Sequence, residues 1–510
     1  MVAREALSGM HVLVIGAGLA GLAAGRYALA QGFGCTLVER HTNAGGVAAT
    51  WKRGDFVIDG GIRPLLGVNP GLQAYEVYRD LGLLPGLPLT EISTLCRFLD
   101  ERTDRAIEVS RNLDRLGLEL RQLSPDDAEH VDDLIYGAKR MGLLDWMMME
   151  RPVEIMTAGD RMRQTWRLRH QLRYFGGIYV QPVSVLAAKI THPLVKSLLL
   201  SLCAPEAPLW YLMMLLSAFA HGQMALLPEG SVGLVGRMVT GFEETGGRLE
   251  TDCCVEEIVV EGTPRGDRAV GVRLQGGETL EADYVVSAAD GYSTLYDMLR
   301  GRYLGSAVKT RFREWKLCRP IVLVSLGVAR RFAGEPPLNV LMLRRPFFVG
   351  ETTVDTMSLR ICNYAPRFAP SGSTVIQACF ETSWSHWSAL AEGDRSAYEA
   401  EKERMVKEVI RRLELHYPGI SRRVEMADVA TPYTTWRYTR NLEGAYEGWL
   451  PTPEVIVSAI PRTLPGLTHL ALAGQWVVPG GGVGGSLLSG RHAVQLICHE
   501  SRVPFHHIRE

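Results

Sequence analysis

A glycine-rich segment near residue 16 is the first part of the chain whose residue types and spacing could do chemistry. Gly16, Gly18 and Gly21 follow an apolar run at residues 11–15 that is typical of a buried strand, and an alanine- and leucine-rich stretch continues from them. A strand, a tight turn and a helix in this order bring backbone amides and the positive end of the helix to a pyrophosphate. Gly16 permits the tight turn, Gly18 permits the approach of the pyrophosphate, and Gly21 permits close packing of the helix on the strand.

An acidic residue follows the glycine turn at the distance expected for a nucleotide. Residues 35–39 form a second apolar run that ends in Glu39, 18 residues after Gly21. A carboxylate at the end of the second strand of a βαβ unit accepts hydrogen bonds from ribose hydroxyls. The segment therefore predicts a ligand that contains adenosine diphosphate, and the acid alone does not distinguish FAD from NAD.

The residues after the ribose acid contain two glycine pairs, at 45–46 and 60–61. With these pairs the sequence resembles the FAD-dependent oxidoreductases of the amine oxidase and phytoene desaturase superfamily, in which a second glycine pair packs beside the flavin. Residues 45–50 carry no arginine after the pair, and together with residues 54–61 they are similar to the carotenoid isomerase and retinol saturase branch. The resemblance implies FAD as the cofactor and assigns these residues to its site: Arg40, Gly45, Gly46, Gly60 and Gly61.

Two later parts of the chain resemble the remaining cofactor segments of this superfamily. The resemblance places the backbone of Val255 against adenine. Near the other end, an apolar strand leads into a glycine-rich turn, and a long apolar helix is predicted from about Ser486. Such a turn lets backbone amides and a helix N-terminus face the electron-rich side of a flavin ring. The residues that the resemblance assigns to this closing motif are Gly474, Gln475, Gly482, Val483 and Gly484. Many relatives carry an acid where Gln475 stands, so the contact of that acid with the ribityl chain is not carried over.

The order of these segments predicts an α/β fold. We expect a Rossmann-like FAD-binding domain of the GR2 type, interleaved with an α+β substrate domain. The cofactor domain is predicted at residues 1–85, 225–300 and 455–510, and the substrate-binding domain at residues 86–224 and 301–454.

The composition limits the partners of the chain. Its 55 lysines and arginines against 56 acids give a net charge of -1, so no overall field would collect a nucleic acid. The nine cysteines lack the spacing that holds zinc or an iron–sulfur cluster, and no metal site is predicted. They also form no disulfide framework, which favours a reducing, cytoplasmic location. The sequence indicates no oligomeric state.

An unusually apolar stretch points to a hydrophobic small-molecule (lipid) substrate. Residues 197–228 carry one formal charge, Glu206. Four interpretations are open: a buried core helix, the wall of a substrate tunnel, a surface in peripheral contact with the inner face of a membrane, or a membrane-spanning helix. The break in the apolar run at residues 221–223 disfavours the last of these. A methionine-rich patch at residues 141–149 suits adaptable apolar contact. The aromatic stretch at residues 431–449 resembles one that lines part of the substrate site in carotenoid desaturases and isomerases.

The resemblance and the apolar stretch together predict an enzyme that acts on carbon–carbon bonds of an isoprenoid or carotenoid-like substrate. A flavin accepts a hydride from a carbon atom and, once reduced, returns one to a double bond. Desaturation, saturation and isomerisation are therefore all open. The alternative on the same fold is a flavin amine oxidase or a dehydrogenase of a polar small molecule, and a non-catalytic flavoprotein is a third possibility.

Arg63 is the candidate catalytic residue. It lies two residues past the glycine pair at 60–61, where relatives approach the flavin. A guanidinium there could stabilise a reduced flavin or a substrate anion, and a structural salt bridge is the alternative role. The thirteen histidines are dispersed, and no Ser–His–Asp or HExxH pattern is present.

Overall fold

The computed structural model describes residues 9–145, 149–264 and 266–508. The strands are β1 (His11–Ile15), β2 (Gly34–Val38), β3 (Thr50–Arg53), β4 (Phe56–Asp59), β5 (Leu65–Leu66), β6 (Thr90–Glu91), β7 (Thr94–Asp100), β8 (Arg105–Ser110), β9 (Met224–Leu226), β10 (Arg248–Glu250), β11 (Val255–Thr263), β12 (Gly266–Leu274), β13 (Thr279–Glu281), β14 (Tyr284–Ser287), β15 (Ile321–Val328), β16 (Leu338–Val349), β17 (Thr352–Ile361), β18 (Thr374–Glu381), β19 (Val424–Ala430), β20 (Leu467–Thr468) and β21 (Leu470–Leu472). The α-helices are α1 (Leu19–Ala30), α2 (Gln73–Asp80), α3 (Leu113–Leu123), α4 (Ala128–Met141), α5 (Ala158–Arg167), α6 (Val183–Lys189), α7 (Pro193–Leu202), α8 (Leu209–Ala220), α9 (Gly230–Glu244), α10 (Ser306–Glu314), α11 (Trp384–Gly393), α12 (Arg395–His416), α13 (Pro432–Thr439), α14 (Pro453–Val457) and α15 (Gly482–Ser501).

A five-stranded parallel sheet carries the glycine turn. Its strand order is β10-β2-β1-β14-β21, and every neighbouring pair is parallel. Parallel sheets are covered on both faces, which explains the continuous apolar runs of β1 and β14. Helices α1 and α15 pack against each other. Gly490 permits this contact, because a Cβ atom there would lie 2.3 Å from the carbonyl oxygen of Ala20.

The strands of this sheet come from distant parts of the chain, since β10 and β14 lie near the middle and β21 near residue 470. The predicted α/β class with a Rossmann-like sheet is confirmed. One boundary differs, because α15 begins at Gly482 and not near Ser486. Cβ atoms at Gly481 and Gly485 would lie 2.7 and 3.0 Å from the Val478 side chain. These glycines therefore serve close packing around the first turn of the helix.

A seven-stranded sheet forms the second large element. Its order is β19-β15-β18-β17-β16-β7-β8, and only the β16–β7 pair is parallel. Ile376, Ala378 and Phe380 of β18 belong to a core that includes side chains of α12. Successive side chains of a strand point to opposite faces, so Gln377 and Cys379 of β18 lie on the other face. Gln377 reaches the end of β4 there.

Asp59, the last residue of β4, connects the β3–β4 hairpin to the seven-stranded sheet and to α9. Its side chain has no exposed surface and forms an ion pair of 3.0 Å with Arg360 of β17. Asp59 Oδ2 also accepts a hydrogen bond from the backbone N–H of Ser231, in the first turn of α9. Arg360 and Gln377 donate to the Asp59 carbonyl oxygen. Removing one partner would leave a buried charge uncompensated, which is strongly destabilising.

The apolar segment at residues 197–228 contains the second half of α7 and all of α8. Trp210, Leu212 and Phe219 of α8 have no exposed surface, and the helix packs against α4. The buried-helix interpretation therefore applies to α8, and Tyr211 and Leu215 are half-buried along one edge. In the ranges that the structure describes, no helix is long and apolar enough to cross a membrane. Of the methionine-rich patch, residues 146–148 lie outside the described residues.

The burial of α8 makes a charge on its inner face costly. We expect Leu212→Asp to lower the Tm strongly, because a carboxylate without a partner would enter the core. Leu118→Asp on α3, where the leucine is 49% exposed, is the matched control and should shift the Tm little. Thermal unfolding followed by circular dichroism measures both. Equal Tm values for the two variants would contradict the burial of α8.

Candidate functional site

A cleft of about 600 Å³ opens where the parallel strands end. Ile15 and Gly16 at the end of β1, and Ala288 after β14, line it. Ligands of open α/β sheets bind at this carboxyl edge. The predicted cofactor-site residues that line the cleft are Gly16, Gly18, Glu39, Arg40, Gly45, Gly46, Val255, Gly474 and Gln475.

The glycine turn has the geometry that each of its glycines was expected to provide. Gly16 has φ +93°, a conformation that favours glycine. Gly18 precedes the first turn of α1, and a Cβ atom there would meet nothing closer than Gly46 Cα at 3.9 Å. The space in front of the helix N-terminus is therefore open for an anion. Gly21 does not line the cleft, and its Cβ atom would lie 1.9 Å from the Gly16 carbonyl oxygen.

Glu39 is held at the cleft by two backbone amides. Its Oε2 atom accepts a hydrogen bond of 2.8 Å from Ala17 N–H, and its Oε1 atom accepts one of 2.9 Å from His41 N–H. Each carboxylate oxygen has a further lone pair. The carboxylate can therefore also accept bonds from the hydroxyl groups of a ribose.

The predicted residues Gly60, Gly61, Gly482, Val483 and Gly484 are not among those that line this cleft. A Cβ atom at Gly60 would lie 2.7 Å from the Trp51 ring, and one at Gly61 would lie 2.7 Å from Ala48 Cα. The pair therefore allows close packing of the turn after β4. Residues 482–484 open α15, and Ser486 of the same helix lines the cleft.

The rim of the cleft includes aromatic and cationic side chains from the stretch at residues 431–449. Trp436 and Tyr438 of α13 and the following Arg440 line it. The Arg440 guanidinium lies 4.2 Å from the centre of the Trp436 ring, and burial, together with the neighbouring Arg40, lowers the pKa of Arg440. This positive, aromatic rim favours an anionic ligand with an aromatic ring. The stretch predicted to line the substrate site thus contributes to the nucleotide side of the cleft.

Asp290 is a residue that sequence reasoning missed. It follows β14, lines the cleft and is 3% exposed. Its Oδ1 atom accepts a hydrogen bond of 2.8 Å from Ser293 N–H, and its Oδ2 atom accepts one of 3.0 Å from Leu442 N–H. Burial raises the pKa of Asp290 to about 6. The carboxylate joins the loop after β14 to the rim after α13.

Arg63 lies outside the cleft, at a deeper point between the two sheets. Its side chain has accessible surface although protein atoms surround it densely, among them Cys379 of β18 and Tyr446. Tyr446 combines 40% exposure with the same dense surroundings. Exposed side chains with such dense surroundings line a recess and not an open surface. We refer to this recess as the Arg63 cavity.

Glu447 is the acidic group near the Arg63 cavity. Burial raises the pKa of Glu447, and the positive charge of Arg63 partly offsets this effect. Glu447 also lies near Tyr211 on the half-buried edge of α8. Tyr211 donates a hydrogen bond of 3.1 Å to the carbonyl oxygen of Gly480, in the turn that precedes α15. Helix α8, the Arg63 guanidinium and the Glu447 carboxyl group thus lie near one another, beside the turn that precedes α15.

Comparison with known proteins decides the family. The sequence model for flavin containing amine oxidoreductases matches residues 19–498. The chain belongs to this family. The resemblance stated above and the assignment as a flavin-containing oxidoreductase are therefore confirmed.

Individual proteins are similar to the chain in sequence or in fold. The chain is 24% identical over 493 residues to prolycopene isomerase from Daucus carota, covering 92% of this chain and 77% of the relative. It is 23% identical over 385 residues to a lycopene-forming phytoene desaturase from Pseudescherichia vulneris, covering 71% and 74%. The structure of cyclohexylamine oxidase from Brevibacterium oxydans has a TM-score of 0.57 at 14% identity, covering 97% of this chain and 99% of that one. The last comparison shows the fold alone.

The open space at Gly18 leads to a specific expectation for flavin binding. Gly18→Val should fold normally, because a Cβ atom meets only Gly46 Cα at 3.9 Å, and should lose the flavin because the side chain blocks the pyrophosphate. Visible flavin absorbance per protein measures the loss. Gly236→Ala in α9, where a Cβ atom meets nothing within 4 Å, is the control. A full flavin complement in Gly18→Val would place the cofactor elsewhere.

The raised pKa of Asp290 leads to a pH-dependent stability. The pKa is about 6 in the folded protein against 3.8 for the free side chain, so ionisation is disfavoured by folding. The stabilising contribution is complete below pH 4 and is lost as the pH rises to about 6, a change of about 3 kcal/mol. We expect the Tm of the wild type to fall relative to that of Asp290→Asn over this interval, and then to stay parallel. A constant difference would contradict the burial of the carboxyl.

Proposed function

We propose that the protein binds FAD noncovalently and acts on carbon–carbon bonds of a hydrophobic, isoprenoid or carotenoid-like substrate. The observation that carries this proposal is the length of the match to prolycopene isomerase, which covers 92% of the chain and so includes both sheets. The phytoene desaturase match supports the same substrate class. Desaturation, saturation and isomerisation of a polyene all belong to this proposal.

The nucleotide cleft supports FAD as the form of the flavin. The amides at the start of α1 suit a pyrophosphate, and the Glu39 carboxylate beside them suits a ribose. The rim with Trp436 and Arg440 suits an adenine. These three features fit the adenosine diphosphate half of FAD, which a mononucleotide lacks.

The Arg63 cavity supports a hydrophobic substrate. It lies between the sheets, and Tyr211 lies close to Glu447 at the edge of the apolar helix α8. Leu215, one helical turn further, continues the half-buried edge. A long apolar molecule that followed this edge would reach Arg63 with little surrounding water.

The side chains at this cavity can perform two tasks. A flavin bound beside the cavity would accept a hydride from a carbon atom or return one to a double bond. Arg63 supplies a fixed positive charge that stabilises negative charge nearby. Burial raises the pKa of Glu447, so its carboxyl group keeps a proton to a higher pH than an exposed glutamate and can deliver that proton to a carbon atom.

A second candidate is the oxidation of an amine. Glu447 is the specific observation that favours it, because a carboxylate in the cavity would attract an ammonium group. Arg63 counts against it, since its guanidinium lies close enough to influence Glu447. The fold shared with cyclohexylamine oxidase allows either chemistry.

One assay separates the two candidates. The purified protein is denatured to release and identify its flavin, and the native protein is incubated with cis and trans acyclic polyenes and, separately, with primary amines. Desaturation or saturation changes the polyene mass by two hydrogens, and isomerisation changes only its retention time. Release of an aldehyde and hydrogen peroxide from the amines, with no polyene turnover, would overturn the proposal.

The role of Glu447 is tested by Glu447→Gln, which keeps the shape of the side chain but cannot donate the carboxyl proton. We expect kcat on the polyene to fall by a factor of about 100 or more, with flavin content and Tm unchanged. The wild-type rate should decrease as the pH rises through the raised pKa of Glu447, and the variant should lack this limb. Glu454→Gln at an exposed position is the control. An unchanged kcat in Glu447→Gln would remove the proton-donor role.

A further inference from the structure

Residues 158–185 form an exposed surface that neither sheet explains. They comprise α5, the short helical turns Leu172–Phe175 and Gly177–Val180, and the start of α6. No residue of α5 is buried. An isolated helix of ten residues has little stability in water. We therefore expect the exposed face of α5 to contact a partner. We call this stretch the α5 surface.

Large apolar side chains are concentrated on the α5 surface. The exposed ones are Met162 at 73%, Trp166 at 63%, Leu172 at 47%, Ile178 at 53% and Val185 at 39%. Among the described residues these are five of fifteen exposed large hydrophobic side chains, yet the stretch is about one twentieth of the chain. Met162 and Trp166 are four residues apart and so share one face of α5. Clustered apolar exposure of this kind marks an interaction surface.

The same stretch carries a local excess of positive charge. Its arginines are Arg161, Arg163, Arg167, Arg169 and Arg173. The one acid between residues 158 and 185 is Asp160, which caps the N-terminus of α5 through Thr157. The chain as a whole has a net charge of -1, so this excess is a property of the surface and not of the composition.

The arginines and the apolar side chains are interleaved. The Arg169 guanidinium lies 3.9 Å from the centre of the Trp166 ring. Arg163 and Arg167 line a cavity of about 160 Å³ on the protein side of α5. Arginine keeps its charged end at the polar boundary while its stem covers apolar surface.

We propose that the α5 surface docks the protein on a lipid bilayer with anionic headgroups. Trp166 and Met162 enter the headgroup and acyl boundary, and Arg161 and Arg169 contact lipid phosphates. A nucleic acid would use the charge but not the apolar side chains, and a second copy of this chain would not use the charge. The bilayer uses both. This inference rests on the surface alone and not on the proposed substrate.

The α5 surface is also connected to the Arg63 cavity. Leu209 N–H at the start of α8 donates to the Gln181 carbonyl oxygen, and Val183 N–H of α6 donates to the Ala207 carbonyl oxygen. Phe175 contacts the Trp210 ring of α8 at a centroid distance of 5.2 Å. The α5 surface therefore sits on the N-terminal end of the helix whose half-buried edge reaches the cavity.

Co-sedimentation with vesicles tests the docking. Vesicles of phosphatidylcholine with about one third phosphatidylglycerol are compared with phosphatidylcholine alone. The full-length protein should bind the anionic vesicles, and the bound fraction should fall as salt is added. Met162→Ser combined with Trp166→Ser should weaken binding at least about fivefold, and Arg161→Gln combined with Arg169→Gln at least about tenfold.

Control variants separate an effect of the α5 surface from a general effect of removing exposed apolar side chains. Phe348→Ser combined with Leu415→Ser removes two side chains of similar exposure, 59% and 66%, from another part of the surface, and should leave vesicle binding unchanged. All variants should retain flavin and Tm, since the altered side chains are exposed. Unchanged vesicle binding in both α5 variants would overturn the proposal. So would a change from dimer to monomer in the Met162 and Trp166 variant without an effect on vesicles, because the surface would then join two copies.

Discussion

The buried ion pair between Asp59 and Arg360 holds the β3–β4 hairpin against the seven-stranded sheet. Asp59 ends β4 and Arg360 lies on β17, and Gln377 of β18 donates a further hydrogen bond to the Asp59 carbonyl oxygen. Burial of both groups makes the pair costly to break, because either charge alone would remain in a low dielectric. Ser231 at the start of α9 adds a third element to the same carboxylate. The turn that carries Arg63 begins at this point, so the position of Arg63 depends on it.

Two cavities with different chemistry follow from this arrangement. The nucleotide cleft lies at the carboxyl edge of the parallel sheet and is lined by glycines, Glu39 and a positive rim. The Arg63 cavity lies between the sheets, where the face of β18 with Cys379 is close to Arg63. Gly480 and Gln475 both precede α15. Gln475 lines the cleft, and the Gly480 carbonyl oxygen accepts a hydrogen bond from Tyr211 of α8. The closing segment therefore borders both the cleft and α8.

Local signals made one half of the site predictable. Gly16, Gly18 and Glu39 act within one βαβ unit, where spacing alone determines their relative positions. Asp290 was not predicted. Arg440 and Glu447 lie in the stretch at residues 431–449 that was assigned to the substrate site, but their individual positions depend on elements that are distant in sequence and meet only in the fold. The same cause explains α15, whose glycines suggested a loop until packing against Val478 was known. For α8, composition could not decide between a buried helix and a surface helix, since both are apolar. The apolar face of the surface helix α5 was not predicted, because the arginines between its apolar side chains lower the mean hydropathy of the segment.

The interleaved strand order also sets the time at which the cofactor site can exist during synthesis. Strand β21 pairs with β14, and α15 covers α1, yet residues 470–501 leave the ribosome long after the glycine turn. Until then, β14 has an open edge and the apolar face of α1 has no cover. The N-terminal half of the nascent chain therefore remains partly folded, with exposed apolar surface, until residues 470–501 are made. Chaperones bind species of this kind. Flavin capture is for this reason a late event in the biogenesis of the protein.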